Sequence, residues 1–69
     1  MFDRSFLRQF FTYLERATLS ELQSKRTQLH AALEQFREPE ARRDARFLLK
    51  HVNREILDRQ LFGPVDDVQ

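Results

Sequence analysis

A chain of 69 residues with 41% hydrophobic and 33% charged side chains, one Gly, two Pro and no Cys or Trp is one small domain at most. It is too poor in turn formers for a β-sandwich, a barrel or a collagen-like repeat, and it lacks the thiols of a disulfide framework or a thiolate zinc site. Twelve basic side chains against eleven acidic ones leave a net charge of +1, which excludes a DNA mimic and a strongly basic nucleic-acid coat and leaves charge-driven binding to a local patch.

The expected class is all-α, a single helical domain over residues 1–69. The first helix is predicted over about residues 2–17, where Phe2, Phe6, Phe10, Tyr13, Leu14 and Ala17 recur at spacings of three and four. Leu7 and Phe11 widen this arc, while Arg4, Arg8, Thr12, Glu15 and Arg16 fall opposite it. The pattern is a short amphipathic helix with a broad aromatic face.

Ala17-Thr18-Leu19-Ser20-Glu21-Leu22 reads as a capping box in which Thr18 and Glu21 exchange hydrogen bonds, with Ala17 and Leu22 placed as a staple. The second helix is predicted over about 19–38. It carries a narrow stripe of Leu19, Leu22, Leu29, Leu33 and Phe36, interrupted by Arg26, which suits packing against another helix. Pro39 ends it, because proline has no amide hydrogen and holds Glu38 away from helical angles.

As a first helical residue Pro39 is well placed, and Glu40 suits the positive end of the helix dipole. The third helix is predicted over about 39–62, stopped by Gly63-Pro64 and followed by a flexible tail over 63–69. The second and third helices would then be roughly 30 and 35 Å long, joined by a tight turn as an antiparallel helical hairpin. Ala41, Ala45, Leu48, Leu49, Val52 and Ile56 supply the face complementary to the leucine stripe. A chain this short buries little apolar surface, and with disulfides and zinc excluded the expected staple is a two-fold homodimer.

Nothing in the sequence carries enzyme chemistry. His30 and His51 fall on different helices at polar or boundary positions, and no Gly-rich phosphate loop, HExxH or nucleophile elbow occurs. No catalytic, cofactor-binding or metal-binding residue is assigned. The longest apolar run is too short for a membrane span, and MFDRSFLRQFF lacks the apolar stretch of a signal peptide, so a soluble cytoplasmic protein with no membrane partner is expected.

Recognition is the better-supported expectation. Arg42, Arg43, Arg46, Lys50 and Arg54 form a basic stripe on the third helix away from its alanine-leucine face, flanked by Glu40, Asp44, Glu55 and Asp58. The stripe can meet phosphates or an acidic protein surface, or be a plain solvated face. A helix-turn-helix does not fit helices of this length joined at Pro39.

Phe47, Leu57 and Leu61 form a second apolar set on the third helix, pointing away from its main face, so something should cover them: the first helix, a second copy of the chain, or another protein. The aromatics of the first helix pose the same question. The residues expected to touch a partner are Phe11, Tyr13, Arg16, Arg43, Arg46, Lys50 and Arg54. Those expected to pack the core or a dimer interface are Phe2, Phe6, Phe10, Phe47, Leu57 and Leu61.

Three features together resemble the small helical-hairpin proteins of phages that bind and inactivate a host transcription regulator, the anti-activator or anti-quorum-sensing type. They are the aromatic helix through Phe11-Thr12-Tyr13-Leu14-Glu15-Arg16, the capped start at Thr18-Leu19-Ser20-Glu21-Leu22, and the turn Pro39-Glu40-Ala41-Arg42-Arg43-Asp44-Ala45-Arg46 into a long helix. The resemblance implies a dimer that sequesters a regulator and performs no chemistry. Tyr13-Leu14 and Arg16 before a Thr-capped helix are also similar to the Hha-type nucleoid modulators, from which the long third helix departs. The function expected is a non-enzymatic protein-interaction module that modulates or inhibits another protein, with a transcription regulator as the most concrete target. The second expectation is a dimeric DNA-binding or nucleoid-associated protein using the basic stripe.

Overall fold

The computed structural model describes residues 2–62, which form three helices: α1 over Arg4–Arg16, α2 over Leu19–Gln35 and α3 over Pro39–Phe62. Among the described residues there is no strand. The Gly63-Pro64 stop and the tail lie outside the described residues.

Local chemistry sets each boundary. α1 starts two residues later than the apolar spacing predicts, because Asp3 is its N-cap: its backbone is extended and its carboxylate accepts the Phe6 amide at 2.7 Å. Phe2 therefore lies outside the helix. At the start of α2 the capping box is present in both directions, with the Glu21 amide donating to Thr18 Oγ1 at 3.1 Å and the Thr18 amide to Glu21 Oε1 at 2.9 Å. Ala17 and Leu22, the two staple positions, are both buried.

α2 ends at Gln35, short of the predicted residue 38. Phe36 turns to extended angles, and the Glu38 carbonyl instead accepts the Arg42 amide at 3.0 Å, opening α3 one residue before Pro39. Residues 36–38 are thus the link that the proline demands.

The only glycine in the chain is Gly63, so neither α1 nor α2 can close on the left-handed glycine that commonly ends a helix. Both end on residues with extended backbone, Ala17 and Phe36, and arginines of α3 take up the carbonyls left over. Arg42 Nη1 donates to the Leu33 and Phe36 carbonyls at 2.6 and 3.2 Å. Arg59 does the same for α1: Nη1 donates to the Ala17 carbonyl, and Nη2 to those of Leu14 at 2.8 Å and Glu15 at 3.3 Å. Its Nε meets Glu55 Oε2 at 3.1 Å.

Arg59 is only 8% exposed, and burial of a guanidinium is tolerable here because its donors are met and it sits at the negative end of the α1 dipole. No buried side-chain nitrogen or oxygen among the described residues lacks a partner.

The apolar centre is small. Leu14 and Ala17 of the α1 end, Leu22 of α2, and Val52 and Ile56 of α3 form one cluster, on which Phe10, Tyr13, Leu19 and Leu29 pack. Leu22 and Val52 are fully buried. α2 and α3 share the most extensive helix-to-helix contact, and α3 buries Ala45, Leu49, Val52 and Ile56 at the expected spacing. The leucine stripe of α2 fades along the helix: Leu22 is buried, Leu29 and Leu33 are half-buried, and Phe36 is exposed.

Candidate interaction surfaces

Six aromatic rings close a circuit between α1, its leading residue and α3. Phe2 stacks on Phe6 at 4.9 Å between centroids and Phe6 on Phe10 at 6.2 Å, while Phe10 meets Phe11 edge-on at 5.4 Å. Phe11 then meets His51 at 5.1 Å, His51 meets Phe47 at 4.6 Å, and Phe47 returns to Phe2 at 5.7 Å. Both stacked and edge-on geometries suit the ring quadrupole.

This circuit answers part of the question posed by the second apolar set. Phe47 meets the rings of Phe2 and His51 of its own chain and still keeps 36% of its surface. Leu57 and Leu61 are more open: they are 49% and 66% exposed. The expected trio is therefore two different features. His51, read from sequence as a surface or boundary residue, is half-buried between two phenylalanine rings, whereas His30 is exposed.

Beside the circuit lie two adjoining open clefts, the first between α1, α2 and α3 and the second between Phe2, α2 and α3. One, of about 280 Å³, is lined by Phe6, Gln9, Phe10, Tyr13, Lys25, Leu29 and Leu48. The other, of about 300 Å³, is lined by Phe2, Ala32, Phe36, Ala41, Asp44 and Ala45, and shares Leu29 and Leu48 with the first. Large apolar side chains thus face an incompletely filled space. The sequence marked Phe2, Phe6 and Phe10 as packing residues but gave no sign that their packing would leave a groove.

The residues expected to touch a partner do not form one patch. Tyr13 is engaged inside the chain: its hydroxyl donates to the Glu21 carbonyl at 3.2 Å, and Lys25 Nζ lies 5.6 Å from its ring centroid. Burial, with a smaller contribution from the Glu21 charge, raises the Tyr13 pKa above its ordinary 10.0. Phe11 looks the other way, to His51 on α3. Arg16 is exposed in the last turn of α1.

On α3 the basic stripe loses its first member, since Arg42 is half-buried and spends its donors on the end of α2. Arg43, Arg46, Lys50 and Arg54 remain exposed. Arg54 approaches Asp58 at 4.0 Å with its own side chain 75% exposed, a geometry worth little in water.

Arg59, the most consequential polar residue of the fold, was missed from sequence. The signal was present: position 59 continues the spacing of Val52 and Ile56, so a charge there had to be buried with partners or lifted out.

Among the described residues no cluster of three or more His, Asp or Glu side chains could hold a metal ion, and no helix is long and apolar enough to cross a membrane. Comparison with protein-family models, with curated proteins and with solved structures gave no match.

Proposed function

We propose that this chain is a non-enzymatic protein-interaction module: an N-terminal aromatic helix on an antiparallel helical hairpin, assembled as a homodimer, that binds and modulates another protein. Inhibition of a transcription regulator is the most concrete form of that role, in keeping with the resemblance to phage anti-activators. The observation that carries the reading is the excess of exposed large apolar side chains. Phe6, Phe11, Phe36, Phe47, Leu57, Leu61 and Phe62 are all exposed, against seven buried apolar residues in the core. Apolar surface on that scale in so small a fold is what partner and dimer contacts cover.

The test is affinity capture of the tagged chain from lysate of the cells that carry it, with nuclease added, at low and high salt. A single protein retained at high salt supports the module. Its loss in a Leu57→Ser/Leu61→Ser variant of unchanged helicity would place the contact on α3, and this pair is a cleaner choice than Phe47, whose ring also meets Phe2 and His51 within the chain. Absence of any protein partner, with sedimentation as a monomer, would contradict both parts of the reading.

Direct nucleic-acid binding through Arg43, Arg46, Lys50 and Arg54 is the second reading, favoured by their common exposure on α3. It predicts duplex binding that weakens steeply with salt, because phosphate contacts release counterions. No shift of duplex DNA at low salt would remove it.

A further inference from the structure

Charges on α3 are sorted by side. At 100° per residue, Arg43, Arg46, Lys50, Arg54, Leu57 and Leu61 fall within about 80° of one another, and all six are exposed. The four acids of the helix, Glu40, Asp44, Glu55 and Asp58, fall on a neighbouring arc: Glu55 holds Arg59, Glu40 and Asp44 border a cleft with Phe2 and Arg43, and Asp58 approaches Arg54 at the stripe's edge at 4.0 Å. The exposed stripe therefore contains no acid. It runs about 27 Å along the helix at 1.5 Å per residue, cationic over its first two-thirds and aliphatic at its end.

From this arrangement we infer that the stripe docks an acidic amphipathic helix of a partner protein, one carrying a leucine-type pair beside a run of carboxylates. The inference rests on the protein-interaction reading above and names the surface and the partner's chemistry. Charge complementarity selects an anionic partner. The leucines select a protein among anionic partners, since a duplex backbone offers phosphates along the whole stripe and nothing apolar to cover Leu57 and Leu61.

A second copy of the chain fits poorly. Two stripes crossing antiparallel about a two-fold axis would set Lys50 against the partner copy's Arg54, and the remaining cations against leucines. Like charges so placed oppose association. The occupant's length is set by the stripe: about 18 helical residues span 27 Å.

The experiment uses fluorescein-labelled 18-residue helical peptides that share a Glu-rich face and a Leu pair, the pair being moved through seven registers, with the full chain titrated by fluorescence anisotropy. At least one register should bind at micromolar concentration. Lys50→Glu/Arg54→Glu should weaken it at least tenfold and gain affinity for the same peptide with Lys in place of Glu, a swap that a folding defect cannot imitate. Leu57→Ala/Leu61→Ala should weaken it at least fivefold.

Binding by no register overturns the inference. So does binding that ignores the leucine pair while duplex DNA binds more tightly, which makes the stripe a phosphate surface, or preferential binding to anionic lipid vesicles. Failure of the underlying reading looks different: lysate capture then yields no protein at all, whereas failure of this inference alone leaves a captured protein whose retention is insensitive to the four substitutions.

Discussion

The two ends of α1 are held in opposite ways. Its C-terminal end is fixed by directional polar contacts, with three carbonyls on the Arg59 fork, Leu14 and Ala17 in the core and Tyr13 bonded to α2. Its N-terminal end rests on half-exposed rings and borders two open clefts. Directional bonds to a buried cation permit one geometry, whereas stacked rings slide at little cost. The contrast separates a part of the molecule that specifies the fold from a part that leaves apolar surface available.

Removing Arg59 should do most damage. Arg59→Leu leaves the Leu14, Glu15 and Ala17 carbonyls without their donor and strands Glu55, at a cost of about 3–5 kcal/mol. Urea unfolding followed by circular dichroism measures it, and Arg59→Lys should recover only a minor part because an ammonium cannot span the fork. A loss below about 1 kcal/mol would break the comparison at its stronger end. Leu22→Ala, a cavity at a fully buried site, should cost about 3 kcal/mol in the same assay.

The aromatic end should respond more mildly. Phe6 is 41% exposed, so Phe6→Ala removes two ring contacts and part of the cleft wall for about 1 kcal/mol. Its effect should appear as faster amide exchange in the first turns of α1, with the last turn unchanged.

The smallest effect is a pH dependence. Tyr13 is neutral in folded and unfolded chains below pH 10.0, its ordinary value. Above that, the unfolded chain ionises first because the folded pKa is raised. Tyr13 should therefore contribute a loss of stability as pH rises from its ordinary value through the raised one, and Tyr13→Phe should flatten that slope in pH-resolved unfolding curves.

How much could be read in advance follows the range of each interaction. The Thr18–Glu21 box and the start at Pro39 depend on residues a few positions apart, and the apolar face of α3 on helical periodicity, so all three were legible. The Asp3 cap is equally local, but the phenylalanine spacing runs through it from Phe2 and masks it. Arg59 bonds carbonyls 42 and 45 residues away, and no pattern within a helix states which orphan carbonyls a distant side chain will meet. For the same reason Arg42 looked like one more member of a solvated stripe until the end of α2 was placed beside it. The aromatic residues were visible as a face, but their closure through His51 required the crossing of two helices. Of the candidate surface, Arg43, Arg46, Lys50, Arg54, Leu57 and Leu61 are legible in the sequence, while the difference between Phe47, which joins the ring circuit, and the more open Leu57 and Leu61 is not available from one helix alone.

The most direct test of the claim that binding belongs to the open surfaces and not to the anchored end is an amide hydrogen-exchange comparison of the free chain with the chain in its captured complex. Added protection is expected over residues 43–61 of α3 or the leading half of α1, with exchange around Leu14–Leu22 unchanged. Protection confined to Leu14–Leu22, or none anywhere in a complex shown to be intact, would contradict that claim.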